Sequence, residues 1–165
     1  MNIRRIRVED AHDFLHLCYA LDKETKFMML EEDERKTTLD EQMNSLKTIL
    51  EENRSLLLVC EIEGKLVGYL SATREDFRRI NHSAYIVVGV LQEYSGHGIG
   101  SHLFEELEAW AKLNNIHRLE LTVMTHNEAG IHLYKKMGFE IEGCKKHSLM
   151  VDGEYVDEYY MAKLI

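Results

Sequence analysis

Between residues 83 and 113 the chain passes from an apolar run, Ile86-Val87-Val88-Gly89-Val90-Leu91, through three alternating glycines, Gly96, Gly98 and Gly100, into an amphipathic stretch. No other segment constrains the fold as tightly. The apolar run reads as a central strand buried on both faces. Residues 99–113 place Ile99, Leu103, Leu107, Trp110 and Ala111 on one helical stripe. A strand, a glycine loop and a helix in that order call for a sheet with a helix packed back onto it. The loop also proposes a ligand. Glycine lets main-chain N–H groups approach an anion with no Cβ in the way, and the following helix aims unpaired N–H groups and its positive dipole end at the same point. The segment therefore reads as a cradle for phosphate or pyrophosphate, or else as a loop that only needs positive φ at a few positions. It is not a nucleotide P-loop, because no Gly-Lys-Ser/Thr follows, and its glycine spacing differs from the dinucleotide fingerprint.

The rest of the chain surrounds this unit with strands and helices. Residues 2–8 read as a short strand, 9–21 as a helix, and 33–53 as a longer helix with Met43, Leu46, Ile49 and Leu50 on one stripe. Between the helices, residues 22–32 read as a loop with an apolar patch from Phe27 to Leu30 that runs into the acidic stretch Glu31 to Glu34. Residues 55–62 and 65–74 flank Glu63-Gly64 as a hairpin, and 83–91 form the fourth strand. A fifth strand at 118–124 turns Leu119, Leu121 and Val123 one way and Glu120 and Thr122 the other. A helix from 128 to 137 is closed by Gly138, and 140–149 with 154–164 make a last hairpin around Asp152-Gly153. With no proline, linker or repeat, residues 1–165 read as one domain. The predicted class is α/β, with a mixed, mostly antiparallel central sheet flanked by helices.

Composition narrows the partners. A net charge of −9 argues against a general nucleic-acid or acidic-membrane binder, which needs a basic face. An anionic ligand must then find a locally favourable site. Cys18, Cys60 and Cys144 are dispersed, odd in number and without metal-ligand spacing. The N-terminus carries no apolar leader segment, and no run approaches the ~20 apolar residues of a membrane span. A reducing, cytoplasmic setting is expected.

A second motif lies at Asn127-Glu128-Ala129-Gly130-Ile131-His132-Leu133-Tyr134-Lys135-Lys136-Met137-Gly138-Phe139. Asn127 opens a helix, where capping is its ordinary use. Tyr134, two turns on, would elsewhere be a core aromatic with a wet hydroxyl. Together the two segments resemble the GNAT N-acetyltransferase superfamily. Its cofactor motif, Arg/Gln-x-x-Gly-x-Gly/Ala after a strand, is matched by the frame Ser95-Gly96-His97-Gly98-Ile99-Gly100. Its second motif, Asn-x-x-Ala/Ser-x-x-x-Tyr-x-x-x-Gly-Phe, is matched by Asn127, Gly130, Tyr134, Gly138 and Phe139. The departures are Ser95, where the family usually has Arg or Gln, and His97, where a basic residue is common.

The resemblance implies an acyl-CoA N-acyltransferase fold and direct transfer of an acetyl group from acetyl-CoA to a primary amine of a small molecule or peptide. It implies that Val88, Gly89 and Val90 bond the pantetheine arm, with an N–H near Val90 as oxyanion hole. The pyrophosphate would fall to the loop Ser95, Gly96, His97, Gly98, Ile99, Gly100 and Ser101, with Lys136 or Lys135 adding charge. Asn127 would position the arm, and Tyr134 would protonate the departing thiolate. A homodimer is the assembly suggested by the family. The competing reading is a non-catalytic acyl-CoA sensor whose cofactor site Ser95 has weakened.

The acceptor amine, with a pKa of about 10.4 when free, must lose a proton before it attacks. Some relatives place a Glu five residues before the motif Asn, where this chain has Thr122. Glu120, on the same strand face, and His82, at the head of the fourth strand, are the candidates here. Their ordinary uses are a solvated edge carboxylate and a capping or surface imidazole. The 22–32 loop, with Phe27, Met28, Met29, Glu31 and Glu32, suits a cationic amine with an apolar portion, or else it packs on the core as a surface loop.

Overall fold

The computed structural model describes every residue from Met1 to Ile165. Its strands are β1 (Asn2–Arg5), β2 (Leu56–Ile62), β3 (Lys65–Arg74), β4 (Ser83–Val90), β5 (Arg118–Met124), β6 (Glu140–Val151) and β7 (Glu154–Leu164). Its helices are α1 (Ala11–Glu24), α2 (Leu39–Glu52), α3 (Ile99–Leu113) and α4 (Glu128–Lys136). The strands form one sheet in the order β1-β2-β3-β4-β5-β7-β6. Every neighbouring pair is antiparallel except β4 with β5. The expected mixed, mostly antiparallel sheet is therefore what forms. Both predicted tight hairpins use left-handed residue pairs, Glu63-Gly64 and Asp152-Gly153, whose twist matches the flanking strands.

The first helix runs over Ala11–Glu24 rather than 9–21, taking Asp22 from the expected loop, and three further boundaries differ, each for a local reason. The second helix starts at Leu39 rather than at residue 33. Thr38 accepts from the Glu41 N–H while the Glu41 carboxylate accepts from the Thr38 N–H, and this capping box fixes the start. Thr38-Leu39-Asp40-Glu41 carries that signature in the sequence. The residues before it bring Arg35 back onto the buried Asp22 carboxylate at the end of α1. The first strand stops at Arg5 because residues 8–10 turn into a 3-10 segment, where Asp10 takes two bonds from Arg4. The sixth strand runs on to Val151, up to the turn residues themselves.

Each face of the sheet has its own helix layer. On one face α1 sets Phe14 edge-on to Tyr69 at 5.3 Å. It also brings Leu21 so close that a Cβ at Gly89 would lie 2.8 Å from it. On the other face α3 buries Leu103 and Leu107 completely, and Lys163 of β7 donates to Glu108 of α3 at 2.6 Å. The central irregularity lies between β4 and β5. They pair only at Ser83–Arg118, Ala84–Leu119 and Tyr85–Glu120. Beyond that rung β5 continues along β7, and β4 has no partner on its β5 side.

Candidate active site

The parted strands create a slot with backbone polar groups on its wall. Leu91 donates to the Val67 carbonyl at 2.9 Å. Because antiparallel bonding alternates along a strand, Gly89 and Val87 also turn toward β3, leaving Val88 and Val90 to turn their N–H and C=O groups into the slot. Tyr85 and Thr122 join hydroxyls at 2.8 Å across the fork, just above the last paired rung.

Downstream of β4 the glycine loop leads into α3 with a run of unpaired backbone N–H groups. Ser95 donates to the Gln92 carbonyl, and the next backbone N–H to find a backbone acceptor is that of His102, on the Gly98 carbonyl at 3.1 Å. The six N–H groups from Gly96 to Ser101 between them are free of backbone partners. They lie where α3 begins, a position suited to the oxygens of a pyrophosphate. Gly96 (φ +78°) and Gly98 (φ +81°) hold the left-handed conformation that shapes the loop. Gly100 is instead helical and serves close packing, since a Cβ there would lie 2.7 Å from Leu133 of α4. Ser95 folds back so that its Oγ meets the Leu91 carbonyl, and His97 donates from Nδ1 to the Tyr94 carbonyl at 3.2 Å. Neither supplies a fixed cation. Lys136 does: its ammonium donates to Ser101 Oγ at 3.0 Å, across from α4 to the first turn of α3.

The second motif lies beside this loop. Asn127 caps α4, its Oδ1 accepting from the Gly130 N–H at 3.0 Å. A Cβ at Gly130 would come 2.7 Å from Asn127 Nδ2, so a side chain there would require the capping amide to shift. The Nδ2 group has no acceptor in the protein and remains available to a ligand. Tyr134 buries its ring against Phe104 and Phe139, with centroids at 5.8 and 6.3 Å. Its hydroxyl has no partner in the protein, yet it is not sealed from solvent. Burial, aided by the nearby Tyr85 phenol, pushes the Tyr134 pKa up to about 12. The group is thus a neutral proton donor at any physiological pH.

His82 and Glu120 are brought to a different place. Both line a cavity of about 630 Å³ with Thr73, Arg79, Tyr85 and Arg118, on the α1 face at the paired foot of β4 and β5. Glu120 accepts from Arg118 Nε at 2.7 Å, and the same guanidinium holds Glu142 on β6. The α1–α2 loop crosses the far end of that face. Phe27 packs on His126 with centroids at 5.2 Å, and Lys26 pairs with Asp152 at the β6–β7 turn. Sequence reasoning missed Tyr85, because its partner across the fork comes from a strand 37 residues away.

Residues 15–139 match the Acetyltransferase (GNAT) family. A crystal structure of a GNAT-family acetyltransferase from Streptococcus pneumoniae superposes with a TM-score of 0.94 at 32% identity, covering 99% of this chain and 98% of that one. The L-amino acid N-acetyltransferase AaaT of Escherichia coli (strain K12) is 38% identical over 111 residues, which is 65% of this chain and 67% of that protein. An N-alpha-acetyltransferase of Sulfurisphaera tokodaii is 31% identical over 122 residues, 68% of this chain and 71% of its own length. With the forked strands, the glycine cradle and the Asn127–Tyr134 helix in this arrangement, the chain belongs to the GNAT acetyltransferase family.

Proposed function

We propose that this protein transfers the acetyl group of acetyl-CoA directly to a primary amine. The observation that carries the reading is the fork itself: an open β4 edge continues into six unpartnered N–H groups, with a protonated phenol alongside. Acetyl-CoA, when bound, supplies an activated thioester. The cradle from Gly96 to Ser101 and the Lys136 ammonium hold its pyrophosphate. Val88 and Val90 bond the pantetheine arm from the slot wall, and the Val90 N–H polarises the thioester carbonyl. Asn127 Nδ2 steadies the arm. Tyr134 donates its proton to the departing thiolate. A thiol has an ordinary pKa of about 8.5, so its thiolate is basic enough to gain from a positioned acid as it leaves.

No cysteine is placed to carry the acetyl group. Burial pushes the Cys18 thiol up to about 11 and raises Cys60 as well, while Cys144 is on β6 at the sheet edge. Transfer is therefore direct, with proximity as the main contribution of binding both reactants together.

The acceptor we infer is an amino acid or peptide terminus with an apolar portion. Phe27 and Met29 leave 43% and 76% of their surface exposed on the loop that crosses the acceptor face, enough to contact an apolar side chain. Two relatives, one named for L-amino acids and one for N-alpha acetylation, point in the same direction. Three unpaired cysteines suit a reducing cytoplasm, and no helix is long and apolar enough to cross a membrane.

Incubation with acetyl-CoA and a panel of amines, following release of the free CoA thiol, tests the activity. Turnover with apolar amino acids or short peptides is expected. Acetyl-CoA binding without thiol release for any amine would instead establish a sensor. The cradle has its own test in Gly98→Val. A β-branched residue at φ +81° is strained by ~1–3 kcal/mol and distorts the loop, so acetyl-CoA affinity measured by calorimetry should drop at least about tenfold. Undiminished affinity rules the loop out as the pyrophosphate site.

A further inference from the structure

One buried carboxylate has no part in this scheme. Glu158 of β7 is only 6% exposed and accepts no hydrogen bond. Its nearest partner is Lys145 of β6, at 3.8 Å, beyond hydrogen-bond distance. A buried charge is ordinarily satisfied by close donors. Here Lys145 is the charged partner, no donor lies within hydrogen-bond distance, and the oxygens are not sealed from solvent; the strand register shows where the carboxylate stands.

Glu158 stands opposite Met124 on β5, while Tyr160 and Ala162 stand opposite Thr122 and Glu120. These pairs share the sheet face of Tyr85, the face on which α1 packs. Met124 is four residues past the last β4–β5 rung, and so is Gly89 on β4. Glu158 therefore lies at the height of Gly89 and Val90, on the strand next to β5, the strand that borders the open fork on the side away from β4. His82 and Glu120 are at the foot, below the fork, where Glu120 is occupied by Arg118. Tyr134 approaches from the opposite, α3 face, packed on Phe104. Acid and carboxylate thus approach the sheet from its two faces, Tyr134 beside Phe104 and Glu158 on the α1 face next to Met124.

We propose that Glu158 receives the acceptor's ammonium and takes its proton; this rests on the acetyltransferase reading above. The ammonium passes one proton to Glu158, which releases it to solvent. The neutral nitrogen bonds the thioester carbonyl carbon. The C–S bond then breaks, the thiolate takes a proton from Tyr134, and the second nitrogen proton returns through water to the phenolate. The groups that face Glu158 agree with a cation site. Lys145 comes from β6, with its ammonium 5.5 Å from the Tyr160 ring; β5 presents only Met124, with His126 beyond the strand end beside Phe27. The neighbouring Asp157 is occupied by Lys146 and the His147 N–H. Lys145 faces the carboxylate at 3.8 Å without occupying its hydrogen-bonding positions.

The test is Glu158→Gln, assayed with the best amine from the panel. At neutral pH the kcat/KM for the amine should fall by about 10²-fold or more. Acetyl-CoA affinity and thermal stability should stay at wild-type values. Raising the pH toward the amine's own pKa should restore the variant, because the acceptor then arrives neutral. A wild-type kcat/KM in an otherwise active system overturns the role of Glu158 alone. So does a loss that is equal at every pH and accompanied by lost acetyl-CoA affinity or stability. An inactive wild type on every amine overturns the acetyltransferase reading and this role together. Should the Gln variant fail to fold, Glu158→Asp carries the test: a carboxylate withdrawn by one methylene should give an intermediate rate with the wild-type pH profile, and an undiminished rate overturns the assignment.

Discussion

Tyr134→Phe should lower kcat by about 10²–10³-fold and leave acetyl-CoA affinity within about twofold. The substitution removes one oxygen and nothing else. The ring keeps its contacts with Phe104 and Phe139, so no cavity forms. The hydroxyl has no partner in the protein, so no bond is broken and stability should change by less than ~0.5 kcal/mol. What is lost is the phenol proposed above to protonate the departing thiolate. Steady-state kinetics beside calorimetric titration with acetyl-CoA separates the two quantities. The raised pKa, about 12, also fixes the pH behaviour. An acid must be protonated to act, and raising its pKa extends the protonated range upward. The wild-type rate should therefore show no falling limb from this group across the neutral and mildly alkaline range. An unchanged kcat in the Phe variant removes Tyr134 as the acid.

Arg35→Ala should destabilise the protein by about 3–5 kcal/mol. Asp22 is 4% exposed, at the end of α1, and Arg35 is its partner through both Nε and Nη2. Its other neighbours, Cys18 and Tyr69, are themselves raised in pKa by burial and offer no charge. Removing the guanidinium leaves an ionised carboxylate in the core with no cation beside it. Because the Arg35 side chain retains 17% exposure, the lower end of the range is expected. At this chain length that is a fall in Tm of roughly 6–12 °C, measurable by calorimetry. The double variant Asp22→Asn with Arg35→Met should recover most of it, since no unpaired charge remains. The single variant should also raise KM for the amine more than for acetyl-CoA, because Arg35 latches the loop that carries Phe27. A Tm equal to wild type rules out the ion pair as a structural clamp.

Periodicity makes most of the element order legible. α3 and β5 begin and end at the predicted residues, because their apolar stripes are long and regular. The start of α2 is legible too, through Thr38 and Glu41, whereas its apolar stripe begins only at Met43 and leaves the start open. The glycines are legible only as a group. Gly96 and Gly98 serve backbone conformation, whereas Gly100 and Gly130 serve close packing against Leu133 and Asn127. Those roles depend on partners that spacing alone does not name. His82 and Glu120 follow as candidates from chain position and strand face. Neither property reveals that the fork opens above them.

By itself the sequence determined the elements, the glycine cradle, the Asn127–Tyr134 helix and hence the family, since each is written in local spacing. Only the tertiary structure decided where β4 and β5 part, which groups line the slot, and that Glu158 stands opposite Met124 without a hydrogen bond. Strand pairing is the reason. Register is settled by the packing of both sheet faces at once, so a residue far along the chain from its partner can stand beside the reacting atoms or well away from them.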